Sequence, residues 1–231
     1  MNSDLSRLIT ILDETMSIEK KYDTLSKLTW GQVKNTNTSS WAVWAEPQGD
    51  LSIVKNLRTN IDDVSMINNC ETVIDLIKTD YVFVGLNASE GNKTPDDGLS
   101  WHSFHSAKSR GNDYKLRWAF MDPEIRKMFW GSYITDIFKD YKKTNSSEVV
   151  GYYKNPKNID ELRVQLSRFD EELSILKPKK IIVMGVAADY FVRKYYTDKF
   201  DDIITLNHYA CNMGYREYRE CFRGKLLECA E

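Results

Sequence analysis

Apolar residues gather into four short runs in the latter two thirds of the chain: YVFVGL at 81–86, SYITDIF at 132–138, KIIVMG at 180–185 and DIITLN at 202–207. Each is rich in β-branched or aromatic residues and is bounded by breakers, the signature of a strand. Three of the four are largely unbroken, as expected of strands covered on both faces in a parallel sheet. Between them the period changes. Ile159, Leu162, Leu166, Phe169, Leu173 and Leu176 recur at three- and four-residue steps, which predicts a helix over 159–176. Asn158 stands as its N-cap with Glu161 reaching back, and Pro178 closes the far end. Further helices are expected at about 186–195 and 215–229. The pattern predicts an α/β protein, a three-layer α/β/α sandwich around a four-stranded parallel sheet.

The first 78 residues are less regular. They show a helical pattern near Leu5 to Leu12, aromatic loop material at Trp41 to Trp44 and another helix at about Ile61 to Lys78. NTNTSS at 35–40 and TNSSEVV at 144–150 read as polar loops. With 231 residues the chain suits one domain, in which 1–78 form a helical and loop extension packed on an α/β core over 79–231.

Composition narrows the functional classes. No apolar run approaches the roughly 20 residues that cross a bilayer, so no membrane partner is expected. MNSDLSRLITILDET lacks a basic segment followed by an apolar stretch and a cleavage site, which points to the cytoplasm. Cys70, Cys211, Cys221 and Cys229 are scattered without metal-site spacing and are expected to be reduced thiols. The net charge of −2 requires any nucleic acid to be held by a local basic patch. A monomer is expected.

In open parallel sheets ligands bind beyond the carboxyl ends of the strands. Those positions carry Asn87 with Ala88 and Ser89, Asp136, Gly185, and Asn207 with His208 and Tyr209. An amide, a carboxylate, a glycine and an imidazole are thus directed to one region.

In this order the segments resemble the uracil-DNA glycosylase superfamily. VFVGLNAS at 82–89 looks like its first motif, in the G-[IL]-N-P form of the mismatch-specific and thymine-DNA glycosylase branch. LNHYA at 206–210 sits where the second motif, usually His-Pro-Ser, ends the last strand. GLSWHSFH at 98–105 resembles the segment that supplies an aromatic platform, SYITD the strand that reads the base edge, and PKKIIVMGVAA the third strand entering a helix. The likeness spans roughly residues 80–225. It implies hydrolysis of the N-glycosidic bond of a damaged or modified base in single- or double-stranded DNA, without a cofactor. On this resemblance Asn87 and His208 are catalytic, and Gly85, Leu86, Ala88, Trp101, Phe104, Asp136, Gly185 and Tyr209 line the base site.

Such chemistry needs a donor where negative charge develops on the base and a group that places water under the sugar carbon. His208 suits the first role and Asn87 the second. The chain departs from the family at Ala88, which replaces proline, at Tyr209 and Ala210, which replace Pro-Ser, and at Asp136, where uracil-specific branches carry asparagine. An ionised carboxylate only accepts hydrogen bonds, so Asp136 suits bases presenting adjacent N–H groups. Alternatively Asp136 caps a helix or pairs with Lys139 or Lys142.

Trp101 and Phe104 are candidate stacking platforms, with a place in the core as the alternative. His102 and His105 form an H-x-x-H without further ligands nearby, so no metal site is expected. KSRGNDYKLR at 108–117 and the helix carrying Arg216, Arg219, Arg223 and Lys225 are local basic patches. They make Lys115, Arg117 and Arg216 candidate DNA contacts, with solvated surface charge as the alternative. Met213 and Tyr215 are candidates for a wedge that fills the gap left by a flipped base. A non-catalytic nucleobase-binding module of the same fold is the competing reading. A small-molecule hydrolase or transferase finds no G-x-S-x-G, P-loop or G-x-G-x-x-G to support it.

Overall fold

The four apolar runs form strands, and the inner ones bury both faces. In a computed structural model, which describes residues 18–28, 38–88, 101–107, 111–141, 143–200 and 202–228, they are β2 (Lys78–Asn87), β3 (Ser132–Phe138), β4 (Lys180–Met184) and β5 (Ile203–Leu206). All four are mutually parallel. A fifth strand, β1 (Ser39–Trp41), runs antiparallel to β3 at the sheet edge, giving the order β1-β3-β2-β4-β5. The chain is therefore α/β with a five-stranded mixed sheet, and the expected four-stranded, wholly parallel sheet is incomplete. The three residues of β1 lie at the junction of the expected polar loop and the aromatic loop. A strand this short carries no readable period.

Helices link the parallel strands. Besides helical residues 18–28 (α1), they are α2 (Ser65–Asn68), α3 (Cys70–Leu76), α4 (Asp113–Phe120), α5 (Pro123–Phe129), α6 (Ser146–Lys154), α7 (Ile159–Leu176), α8 (Val186–Tyr196) and α9 (Tyr215–Glu228). Phe83 meets Phe120, Phe129 and Phe222 and so packs one sheet face against α4, α5 and α9. Tyr133 and Thr135, which pair with Val82 and Val84 and so point the other way, bond Glu172 of α7. Helices cover both faces.

Several expectations change here. The helix expected over 61–78 is two short helices, α2 and α3, separated at Asn69, whose side chain caps α3. The polar segment 144–150 opens α6, capped by Asn145. Asn158 precedes α7 without capping it; its amide donates to Tyr152 O, and Glu161 instead accepts from the Tyr152 hydroxyl. The helical pattern near Leu5 to Leu12, Lys142 and Cys229 lie outside the described residues. Among the described residues no helix is long and apolar enough to cross a membrane.

From β2 the chain goes to β3 on one side, then crosses back to β4 on the other. The switch point lies between the carboxyl ends of β2 and β4, where a crevice opens.

Candidate functional site

That crevice is a cavity of about 860 Å³, in the range of small-molecule sites. Asn87, Phe104, Asp136, Gly185, His208 and Tyr209 all line it, together with Leu86 and Ala88. Four strand ends thus bring together residues distant in sequence.

The Asn87 amide is held by its own end of the sheet. Its Nδ2 donates to the carbonyls of Ala88 (2.9 Å), Tyr141 (3.1 Å) and Lys143 (2.8 Å). This fixes the amide orientation and leaves Oδ1 without a hydrogen-bond partner among the described residues. His208 is held by the backbone that follows it: Nδ1 accepts from Ala210 N at 3.1 Å. The hydrogen bond assigns the neutral tautomer with its proton on Nε2. Burial pushes the imidazole down to about 4, so it stays neutral at physiological pH. Its ring stacks on Tyr209 at 4.3 Å. Gly185, at φ +100°, lies against the ring's root, where a Cβ would stand 3.1 Å from His208 Cβ. Only glycine takes that turn into α8 without strain.

Asp136 is 5% exposed, and no hydrogen bond to its carboxyl exists among the described residues. Lys139 does not pair with it; that ammonium is bound to Glu172 Oε2 at 2.8 Å and to the Thr135 hydroxyl. Burial raises the Asp136 carboxyl to about 7, Lys139 opposes the shift, and Glu172 and Asp113 add to it. Gly85 does not line the cavity, contrary to its expected place in the base site. It is the register partner of Asp136, and a Cβ there would collide with Asp136 Oδ1. Its role is to admit the carboxylate.

Of the two aromatic candidates, only Phe104 reaches the cavity. Trp101 is buried against Trp41 and Tyr133, so it is a core residue and not a platform. Both hold left-handed backbone, φ 68° for Trp101 and 66° for Phe104. Such strain costs on the order of 1–3 kcal/mol per residue and collects where a loop is held for a purpose. Residues 98–100 of the same segment lie outside the described residues. His105 is buried against Ser40 Oγ at 2.8 Å, and burial pushes its ring down to about 3.

Most of the described cations in the two basic patches are bound within the protein. Lys115 is buried and ties α4 to the loop after β5, through Cys211 O (3.1 Å) and Met213 O (2.8 Å). Arg117 is 1% exposed and donates to the carbonyls of Ala45, Leu57 and Thr59. Neither can reach a phosphate. Lys108 to Arg110 lie outside the described residues. On α9, Arg219 and Arg223 pair with Asp122, and Arg223 also with Glu124. Arg216 is exposed beside the Tyr215 hydroxyl. Met213 and Tyr215 pack partly buried against the core and do not line the cavity.

Asp113 was not singled out by the sequence. Its Oδ2 accepts from Ser106 N at 2.8 Å, and it lines the cavity as a second carboxylate. Its signal was an acidic residue opening a helix inside a stretch dominated by cations. Lys143 also lines the cavity. The Tyr209 phenol is held well above its ordinary value by burial and by Asp113 and Asp136, and remains protonated. Among the described residues no group of three or more His, Cys, Asp or Glu side chains could hold a metal ion. Compared with models of known protein families and with curated proteins, the chain matches none.

Proposed function

We propose that the protein is a hydrolase of the uracil-DNA-glycosylase type, cleaving the N-glycosidic bond of a damaged or modified base in DNA. One observation carries the reading. Asn87 and His208 line the same cavity with opposite valences, an acceptor at Asn87 Oδ1 and a donor at His208 Nε2, neither with a hydrogen-bond partner among the described residues.

The two valences match the two demands of the reaction. Asn87 Oδ1 accepts from a water and orients it toward C1′ of a flipped nucleotide; a neutral amide positions that water and does not deprotonate it. As the C1′–N bond breaks, its electron pair leaves with the base, the water oxygen bonds to C1′, and the proton that oxygen sheds passes through solvent to the departing base anion. Negative charge on the departing base oxygen is met by His208 Nε2–H. A neutral imidazole keeps its proton through the step. A preorganised donor of this kind is worth about 3–4 kcal/mol in the transition state.

Phe104 offers its ring to the base, and Asp136 its carboxyl to the base edge. Arg216, exposed at the start of α9, is the cation offered to a flanking phosphate. On the same reading the parallel strands and their two helical layers form a uracil-DNA-glycosylase-like sandwich, with β1 as an edge addition.

The test is a panel of single- and double-stranded oligonucleotides, each carrying a different modified base and read out as abasic sites. Base release from at least one is expected, slowed about 100-fold or more in Asn87→Ala. Retention of every base contradicts the hydrolase and leaves a base-binding pocket.

A further inference from the structure

The Asp136 carboxyl lies at the end of β3, 5% exposed, lining the cavity and without a hydrogen-bond partner among the described residues. A buried carboxylate left so costs several kcal/mol unless a ligand supplies donors or the group takes up a proton. The strand opposite it is cut back to Gly85, so that the carboxyl can stand there at all.

The charged groups around it do not fill the need. Lys139, on the same strand's end, is spent on Glu172 of α7. Asp113 of α4 brings a second negative charge to the cavity wall. Tyr209, protonated, is the neighbouring phenol. The cavity wall offers donors at Tyr209 and His208, but the Asp136 carboxyl itself is an acceptor that none of the described residues meets, and it calls for a ligand edge that donates.

We infer that the ring bound at Asp136 presents two adjacent N–H donors on one edge, as a guanine-type ring does, and that the cavity selects this edge over that of uracil. The inference rests on the cavity being a nucleobase site. A guanine ring offers N1–H and the 2-amino group side by side, matching the two oxygens of a carboxylate. Hypoxanthine lacks the amino group, and uracil opposes a carbonyl to one carboxylate oxygen. Cytosine reaches the donor pair only when protonated at N3. A guanine altered elsewhere on the ring keeps the edge. The cavity volume of about 860 Å³ admits a purine nucleoside.

Calorimetric titration of the full chain with guanosine, inosine, cytidine and uridine at pH 8 separates these edges without requiring cleavage. Guanosine is expected to bind about 10- to 100-fold more tightly than inosine or uridine, the worth of one hydrogen bond to a charged group. In Asp136→Asn that order should collapse or reverse toward uridine. The wild type supplies an independent readout, because donation to the ionised form must expel the proton from Asp136. Guanosine binding near pH 7 should release protons in paired buffers of different ionisation enthalpy, and the release should vanish by pH 9. Equal affinities, a lead for uridine, no binding of any nucleoside or no proton release near pH 7 would each overturn the inference. Guanosine binding with no base released from any oligonucleotide would sink the hydrolase alone.

Discussion

A carboxyl that must lose its proton inside a protein takes stability with it, and Asp136 is such a group. Its value is raised in the fold from 3.8 to about 7, mainly by burial. The folded state therefore holds a proton that the unfolded state has lost between those pH values. The contribution of Asp136 to stability is greatest below about pH 4, falls as pH rises toward 7, and levels off above it. Asp136→Asn removes the titration, and we expect it to be more stable than wild type at pH 8 by on the order of 3 kcal/mol, with little difference at pH 4. Denaturant unfolding at the two pH values reads this directly; a variant destabilised at pH 8 would mean that the carboxylate has a partner. His208 shifts the opposite way. Lowered from 6.5 to about 4, it contributes a loss of stability as pH falls from 6.5 toward 4. Between pH 6 and 8 it stays neutral, so any base-release rate should show no inflection from this imidazole. Phe104 holds its left-handed backbone at the cavity wall, and Phe104→Ala should weaken base binding by about 1–3 kcal/mol, the worth of one stacking contact, measured by titration with nucleoside. An unchanged affinity would make its ring part of the core alone.

At the scale of elements, α4 shows how a cationic stretch can be structural. Its Lys115 and Arg117 are spent on backbone carbonyls of the loop after β5 and of residues 45–59. Replacing Arg117 with Met takes the donor from one buried and two partly buried carbonyls and should cost about 3 kcal/mol or more. Neither Arg117→Met nor Lys115→Met should change the salt dependence of DNA binding, whereas Arg216→Ala should flatten it. Unfolding curves and binding measured across salt concentrations check both halves; a flatter slope in either α4 variant would return that residue to the interface. The sequence could not reveal this. A lysine in a helix reads as solvent-facing because most are, and only the converging carbonyls of distant loops make burial affordable. Where one local period decides, reading was direct: α7 carries its apolar face from Leu162 to Leu176, and β3 is buried along its whole length. Capping was less legible. Asn158 satisfies the sequence rule for a cap yet spends its amide on Tyr152 O, because the preceding turn, Pro156–Asn158, presents that carbonyl first.

For the whole molecule, the strand ends were readable because parallel-sheet geometry alone sends them to one side. Asn87, Asp136, Gly185 and His208 meet there as the chain order implied. What escaped the sequence depends on contacts between segments: the antiparallel β1, Asp113 at the cavity wall, and the burial of Trp101 behind it. The short β1 is defined only by its partner β3, and Trp101 differs from Phe104 only in which way the loop turns it. The claim that the cavity performs chemistry rests on Asn87 and His208 acting together on one nucleotide. Single-turnover base release, measured beside DNA affinity for wild type, Asn87→Ala and His208→Ala, tests it most directly. The account predicts a rate about 100-fold lower or more in each variant with affinity nearly unchanged, since both groups act chiefly in the transition state. Base release at the wild-type rate in either variant, or a fall in rate matched by an equal fall in affinity, would contradict it.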